Sequence, residues 1–222
     1  HPLATDAGLA ALKKGGNAID AAIAVGLTLG VVDAHNSGLG GGCFILIRRA
    51  DGKLIAIDGR ETAPAKATRD MYLRDGKPRP DLSQTGPLAV ATPGALAAYA
   101  LALKDHGRLK LADLVLPAAE LAEKGFPIDK PNASALARIA DVMRRVSGPE
   151  VSLLKANGSA YAEGEVIRQL DLARTYRGIA EQGTDYFYRG PFATAVGKWM
   201  AEQGGLLTAD DFGEYQPILR EP

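Results

Sequence analysis

The sequence predicts an α+β fold, with helical layers laid over a small antiparallel sheet. Helical periodicity opens the chain and returns through most of its later part, and one strong hairpin signal, Asp51-Gly52, falls early. The resulting order is helix, helix, hairpin, then many helices. Two strands cannot form a stable sheet by themselves, so the remaining strands are expected from sequence outside this chain.

Residues 4–14 have helical spacing through Leu3, Ala7, Ala10 and Ala11, and Gly15-Gly16 supply a left-handed stop. Asn17 follows as a helix cap, with Asp20 three positions on, where a carboxylate favours the helix dipole. The next helix should cover about 18–31. Its small residues Ala21, Ala22, Ala24, Gly26 and Gly30 suit close packing. After a glycine-rich loop, residues 43–49 are rich in β-formers, Asp51-Gly52 turns the chain, and 53–58 returns it. Arg60 stands at the hairpin's exit. Residues 70–73 are expected as a short helix and 75–81 as a loop. Thr92-Pro93-Gly94 reads as a capping residue with proline at the first helical position, opening a helix that ends near His106-Gly107. Further helices are predicted at 117–124, stopped by Gly125, and at 133–145, 166–181 and 191–203. Thr208 to Asp211 has the form of a capping box for a last short helix. Prolines and glycines are spread as punctuation and mark no linker, so residues 1–222 read as one domain, incomplete in itself. No repeat or low-complexity segment is present.

Composition narrows the function classes. Lys plus Arg and Asp plus Glu both number 26, which leaves no overall field toward nucleic acid or an anionic membrane surface. A single cysteine, Cys43, rules out an intrachain disulfide and a cysteine-rich zinc site. The longest apolar tract, 18–32, is broken by Asp20, Gly26, Thr28 and Gly30, so it is a core helix and no membrane span is expected. The chain begins in folded-looking sequence, and no signal segment is expected within it. Asn132-Ala133-Ser134 and Asn157-Gly158-Ser159 match the glycosylation sequon, a triplet that arises often by chance.

Two features stand out chemically. The first is His35-Asn36-Ser37-Gly38-Leu39-Gly40-Gly41-Gly42, whose glycines allow close approach of a ligand or another chain segment. It precedes a strand, and Cys43 occupies the place a phosphate-binding glycine would need, so nucleotide binding is disfavoured. Either the glycines let two backbones cross tightly or they line a substrate pocket. The second is Arg60-Glu61. A guanidinium offers a planar fork of donors that fits a carboxylate, whereas spacing alone allows Arg60 to be a structural partner of Glu61 or Asp58. Glu61 is read as having an orienting or structural role beside Arg60, with a solvated neighbour as the other reading, and Asp58 as closing the hairpin. Cys43 reads as a strand thiol with no histidine placed to activate it. His1, His35 and His106 are scattered without metal-ligand spacing, so no metal and no cofactor are expected. Ser37 and Ser83 lack a nucleophile elbow. No catalytic nucleophile with its base is found in this chain.

The blocks GGNAIDAAIAV, GLGGGCFILI, IDGRETAPAKATRDMYL, PLAVATPGALAAYALAL and LPAAELAEKGFPI, with Tyr186 to Gly190 and Gly204 to Phe212 after them, resemble the large subunit of the γ-glutamyltransferase (glutathione hydrolase) family. The resemblance covers nearly the whole chain. It implies an N-terminal-nucleophile hydrolase with an αββα sandwich, this chain supplying mostly helices plus the early hairpin. It also implies a self-cleaving proenzyme in which a threonine at the new N-terminus of the small subunit attacks the γ-glutamyl amide of glutathione or a related substrate, its own amine serving as base. The implied role of Arg60 is to bind the α-carboxylate of the γ-glutamyl group. The implied setting is periplasmic or secreted. The chain starts after the family's usual beginning and ends before its nucleophile-bearing part. It is therefore expected to be part of a large subunit, inactive alone. A cephalosporin (glutaryl) acylase of the same superfamily and a non-catalytic amino-acid-binding module remain as alternatives.

Overall fold

The computed structural model describes residues 1–147 and 151–222. In chain order the helices α1 (Pro2–Lys13) and α2 (Ala18–Val32) precede the strands β1 (Cys43–Arg48), β2 (Leu54–Gly59), β3 (Leu73–Arg74) and β4 (Lys77–Pro78). Next come α3 (Pro80–Gln84), a single 3-10 turn (Pro87–Ala89), α4 (Ala95–His106), α5 (Leu111–Lys124), β5 (Phe126–Pro127) and α6 (Lys130–Ser147). The chain closes with β6 (Val166–Ile167), α7 (Leu170–Gln182), α8 (Asp185–Tyr188), α9 (Pro191–Glu202), α10 (Ala209–Glu214) and β7 (Ile218–Arg220). These elements group into two compact units, residues 1–39 with 99–183 and residues 40–98 with 184–222.

The first unit is helical around α2, whose Ile23, Leu27 and Val31 are buried with Val115 and Ala118 of α5 and Ile179 of α7. Small residues allow that packing: a Cβ on Gly30 would lie 2.7 Å from the Tyr176 hydroxyl, which donates to the Leu27 carbonyl at 2.9 Å. Asn17 caps α2 as its sequence predicts, accepting from Ile19 and Asp20 N–H, while Asp20 accepts from Asn17 N–H at 2.7 Å. Asp20 does more than close that box. Fully buried, it also accepts from the N–H groups of Arg108 and Leu109, and so anchors the turn that follows α4. Burial raises its pKa, but the backbone donors outweigh burial and hold the carboxyl below its ordinary value.

The second unit is built on β2, which pairs antiparallel with β1 through Cys43↔Gly59 to Arg48↔Leu54 and with β7 through Ala56↔Arg220 and Asp58↔Ile218. Alternation turns Ile47 and Ile57 inward and leaves Phe44, Leu46, Leu54 and Ile218 on a highly exposed face. An aromatic cluster supports the other elements: Phe187 stacks on Phe192 at 4.2 Å and meets Phe212 edge-on at 5.7 Å.

The α+β class and the hairpin stand as predicted, and five local expectations change. The third strand is β7, from this chain's own last residues, so the hairpin does not wait for outside sequence to gain a neighbour. Helix α5 begins at Leu111 and holds Pro117 in its interior. Its start is marked by the Asp113 carboxylate accepting Lys110 N–H, a signal without a capping side chain. Thr92 caps nothing. It bridges Thr62 strand-fashion, and α4 begins only at Ala95. The stretch expected as one helix over 166–181 opens as β6 against β5 before α7 begins. Residues 70–81 hold a turn, the β3–β4 ribbon and the start of α3, because Asp75 (φ 52°) and Gly76 (φ 72°) both turn left-handed there.

Candidate functional site

Arg60 follows directly on the buried end of β2. Its backbone is tied on both sides. Its N–H donates to Asp58 Oδ1 at 2.9 Å, and its carbonyl accepts the Tyr215 hydroxyl at 2.8 Å. Asp58 is itself held by Arg220 of β7, whose Nε donates to Oδ2 at 2.6 Å. The Arg60 N–H and then Arg220 keep the Asp58 carboxyl below the ordinary carboxylate value. By contrast the Arg60 side chain is 55% exposed and has one partner among the described residues, Glu61, whose Oε2 lies 3.1 Å from Nη2. That contact is an ion pair without hydrogen-bond direction, for the buried Glu61 Oε2 makes no hydrogen bond. The guanidinium therefore keeps a face of donors for a ligand.

The glycine loop accounts for how this segment packs. A Cβ on Gly42 would lie 2.5 Å from the Gly59 carbonyl oxygen, 2.8 Å from Glu61 Oε2 and 2.9 Å from Arg60 Cα. The Gly41 carbonyl accepts from Gly94 and Ala95 N–H at 3.1 and 3.0 Å, capping the start of α4. Tyr188 completes that cap, accepting from Ala97 N–H at 3.0 Å and donating to the Pro93 carbonyl at 3.1 Å. The tight-crossing reading of Gly41 and Gly42 thus has a geometric basis. Next to Glu61 a shallow cavity of about 230 Å³ is lined by Thr62, Thr92, Asp211, Glu214, Tyr215 and Gln216. The Thr92 hydroxyl there is buried and unpartnered among the described residues.

The other candidates have partners of their own or are chemically quiet. Cys43 is half-buried, and burial, then the nearby Glu61 charge, push its thiol up to about 11, so it is protonated at neutral pH. His35 pairs with Asp33 at 3.2 Å, and the His106 carbonyl accepts from Asn17. Ser83 donates to the Pro80 carbonyl. Asn132 is buried and bonded to Asp129, which disfavours that sequon, whereas Asn157 is exposed. Among the described residues no His, Cys, Asp or Glu side chains converge as a metal site would, and no helix is long and apolar enough to cross a membrane. Sequence reasoning missed Tyr215 and Arg220. Both lie more than 150 positions from Arg60, and neither sits in a periodic pattern that could have flagged it.

The profile of the Gamma-glutamyltranspeptidase family matches residues 4–222. The chain is 40% identical over 220 residues to the glutathione hydrolase proenzyme of Escherichia coli K12, covering 99% of this chain and 38% of that protein. The crystal structure of Helicobacter pylori gamma-glutamyltranspeptidase superimposes with a TM-score of 0.97 at 39% identity, over 100% of this chain and 64% of the other. A cephalosporin acylase from Bacillus halodurans superimposes at 0.88 with 34% identity, over 99% of this chain and 42% of that one. The chain thus spans under two fifths of the length of its curated bacterial relative, in keeping with a large-subunit portion. Its α+β architecture is that of the N-terminal-nucleophile hydrolases. An exit-of-strand arginine on a doubly tied backbone, a glycine loop packed beneath it and a match running nearly end to end agree: this chain belongs to the gamma-glutamyltranspeptidase family.

Proposed function

We propose that this chain is the large-subunit portion of an enzyme that hydrolyses or transfers the γ-glutamyl group of glutathione and related amides, with Arg60 binding the α-carboxylate of the donor. The observation that carries this reading is the Arg60 guanidinium itself, more than half exposed on a backbone fixed at N–H and carbonyl, and paired among the described residues with Glu61 alone, without hydrogen-bond direction. A carboxylate arriving there gains a bidentate, charge-assisted contact that contributes roughly 1.5–3 kcal/mol once the companion chain closes the site to water. The attack belongs to a threonine at the N-terminus of a small subunit from the same precursor, whose amine is the base. That partner also packs against the exposed apolar face of Phe44, Leu46, Leu54 and Ile218. A periplasmic or secreted setting fits the family.

The acylase relative keeps a second reading open, in which the acyl group is glutaryl and lacks the α-amine. Both readings use Arg60 for the acid group, so they part on the amine. The assembled two-chain enzyme is assayed on γ-glutamyl-p-nitroanilide and on glutaryl-cephalosporin, and turnover of the first in preference to the second is expected. In the same enzyme Arg60→Ala raises KM for the γ-glutamyl substrate by roughly 10- to 150-fold, from the contact energy above, with Tm nearly unchanged because the side chain is exposed. Arg60→Lys keeps the charge without the fork and falls between. An unchanged KM removes Arg60 from the site.

A further inference from the structure

Of the two ties on the Arg60 backbone, one comes directly from a short stretch near the end of the chain and the other is braced by it. Tyr215, which follows α10, donates to the Arg60 carbonyl. Arg220, on β7, holds the Asp58 carboxylate that accepts the Arg60 N–H. Neither tie is incidental to packing. Tyr215 is 8% exposed and lies nearly parallel to Tyr188, centroids 6.0 Å apart. Its hydroxyl also fills the space a Cβ on Gly94 would need. The ring is thus wedged between the start of α4 and the Arg60 peptide. Arg220 is fixed by register, since Asp58 pairs with Ile218 and Ala56 with Arg220 across β2 and β7. The long Arg220 side chain runs back along that face to Asp58.

We propose that Tyr215 and the Arg220–Asp58 pair act as a clamp that sets the two peptide planes flanking Arg60 and thereby places the root of its side chain for carboxylate binding, making Tyr215 and Arg220 positioning residues for the donor. This rests on the reading of Arg60 as the carboxylate site. A guanidinium sits at the end of four rotatable bonds, so the positions its donors can reach depend on where its Cα and Cβ are held. Glu61 alone does not fix it, since its ion pair lacks hydrogen-bond direction. Misplacement of a positioning group by about 1 Å is enough to weaken its interaction with a ligand of fixed geometry.

The test uses the assembled two-chain enzyme and γ-glutamyl-p-nitroanilide. Tyr215→Phe keeps the ring on Tyr188 and removes one hydroxyl, and Arg220→Met keeps the stem on a side chain already 56% exposed. Each is expected to raise KM by roughly 3- to 10-fold with kcat little changed, the size of one lost hydrogen bond. The deciding arm repeats both substitutions in an Arg60→Ala background, where each is expected to raise KM no further, because the group being aimed is gone. Additive effects in that background, or unchanged KM in the single variants, overturn the clamp while leaving Arg60 in place. If Arg60→Ala itself leaves KM unchanged, the underlying reading fails first. Should Tyr215→Phe fail to assemble, the Arg220→Met pair of measurements decides alone.

Discussion

At the scale of single residues, charge state follows from what each side chain touches, and two titrations check it. The Cys43 thiol, raised to about 11 by burial and by the Glu61 charge, should react with iodoacetamide far more slowly at neutral pH than an ordinary thiol. Its rate should rise through an apparent pKa near 11, and a value near the ordinary 8.5 or so contradicts the burial described. Asp58 shifts the other way. Its folded pKa lies below the ordinary carboxylate value, so the stability it contributes is complete above that value and is lost as pH falls through the lower, folded one. The Tm difference between the wild type and Asp58→Asn should therefore stay level down to about pH 4 and shrink below it. A difference that grows on acidification has the wrong sign. Arg60 came forward from the sequence through the Arg-Glu-x-Ala-Pro block of the family resemblance, since spacing by itself left it open as a structural partner of Glu61 or Asp58. Its restraint by Tyr215 and Arg220 was not legible, because long-range hydrogen bonds leave no local trace.

Among elements, the strongest local codes held and the weaker ones yielded to tertiary context. The Asn17–Asp20 and Thr208–Asp211 capping boxes form as read, each satisfying backbone donors that a helix end must otherwise expose. Pro117 misled because proline favours a first turn, yet here the preceding residues 111–116, apolar but for Asp113 and with Leu114 and Val115 buried, extend the helix back to Leu111. Thr92 misled because its backbone is engaged by Thr62 in a bridge. Two substitutions test the element scale. Asp20→Ala takes the buried acceptor from the part-buried N–H groups of Asn17, Arg108 and Leu109, which water can reach in part, so it should lower the unfolding free energy by about 1–3 kcal/mol in a denaturant titration. An effect below about 1 kcal/mol contradicts the anchor. Gly42→Ala forces a methyl against the Gly59 carbonyl and the Arg60 backbone. It should both lower Tm and raise KM for the donor, whereas a glycine that merely loosens a loop accepts alanine with a gain in stability.

For the whole molecule, the two units were less legible than the class. Punctuation by glycine and proline is spread evenly, and segments distant in sequence share each unit, so no composition shift marks a boundary. The exposed apolar face of the β1–β2–β7 sheet fits a chain that covers 38% of its curated relative, and we expect native mass spectrometry of the complete protein to find a companion polypeptide that begins with threonine. A single unprocessed, active chain contradicts the division of labour proposed here. The central claim, that Arg60 recognises an amino-acid carboxylate while the companion attacks, is tested most directly by matching residue to substrate group. KM is measured for a γ-glutamyl anilide and for the same anilide with its α-carboxylate replaced by a carboxamide, in the wild type and in Arg60→Ala. The wild type is expected to favour the acid roughly 10-fold or more, and the variant to bind acid and amide almost equally. A variant that still favours the acid as strongly as the wild type does contradicts the account.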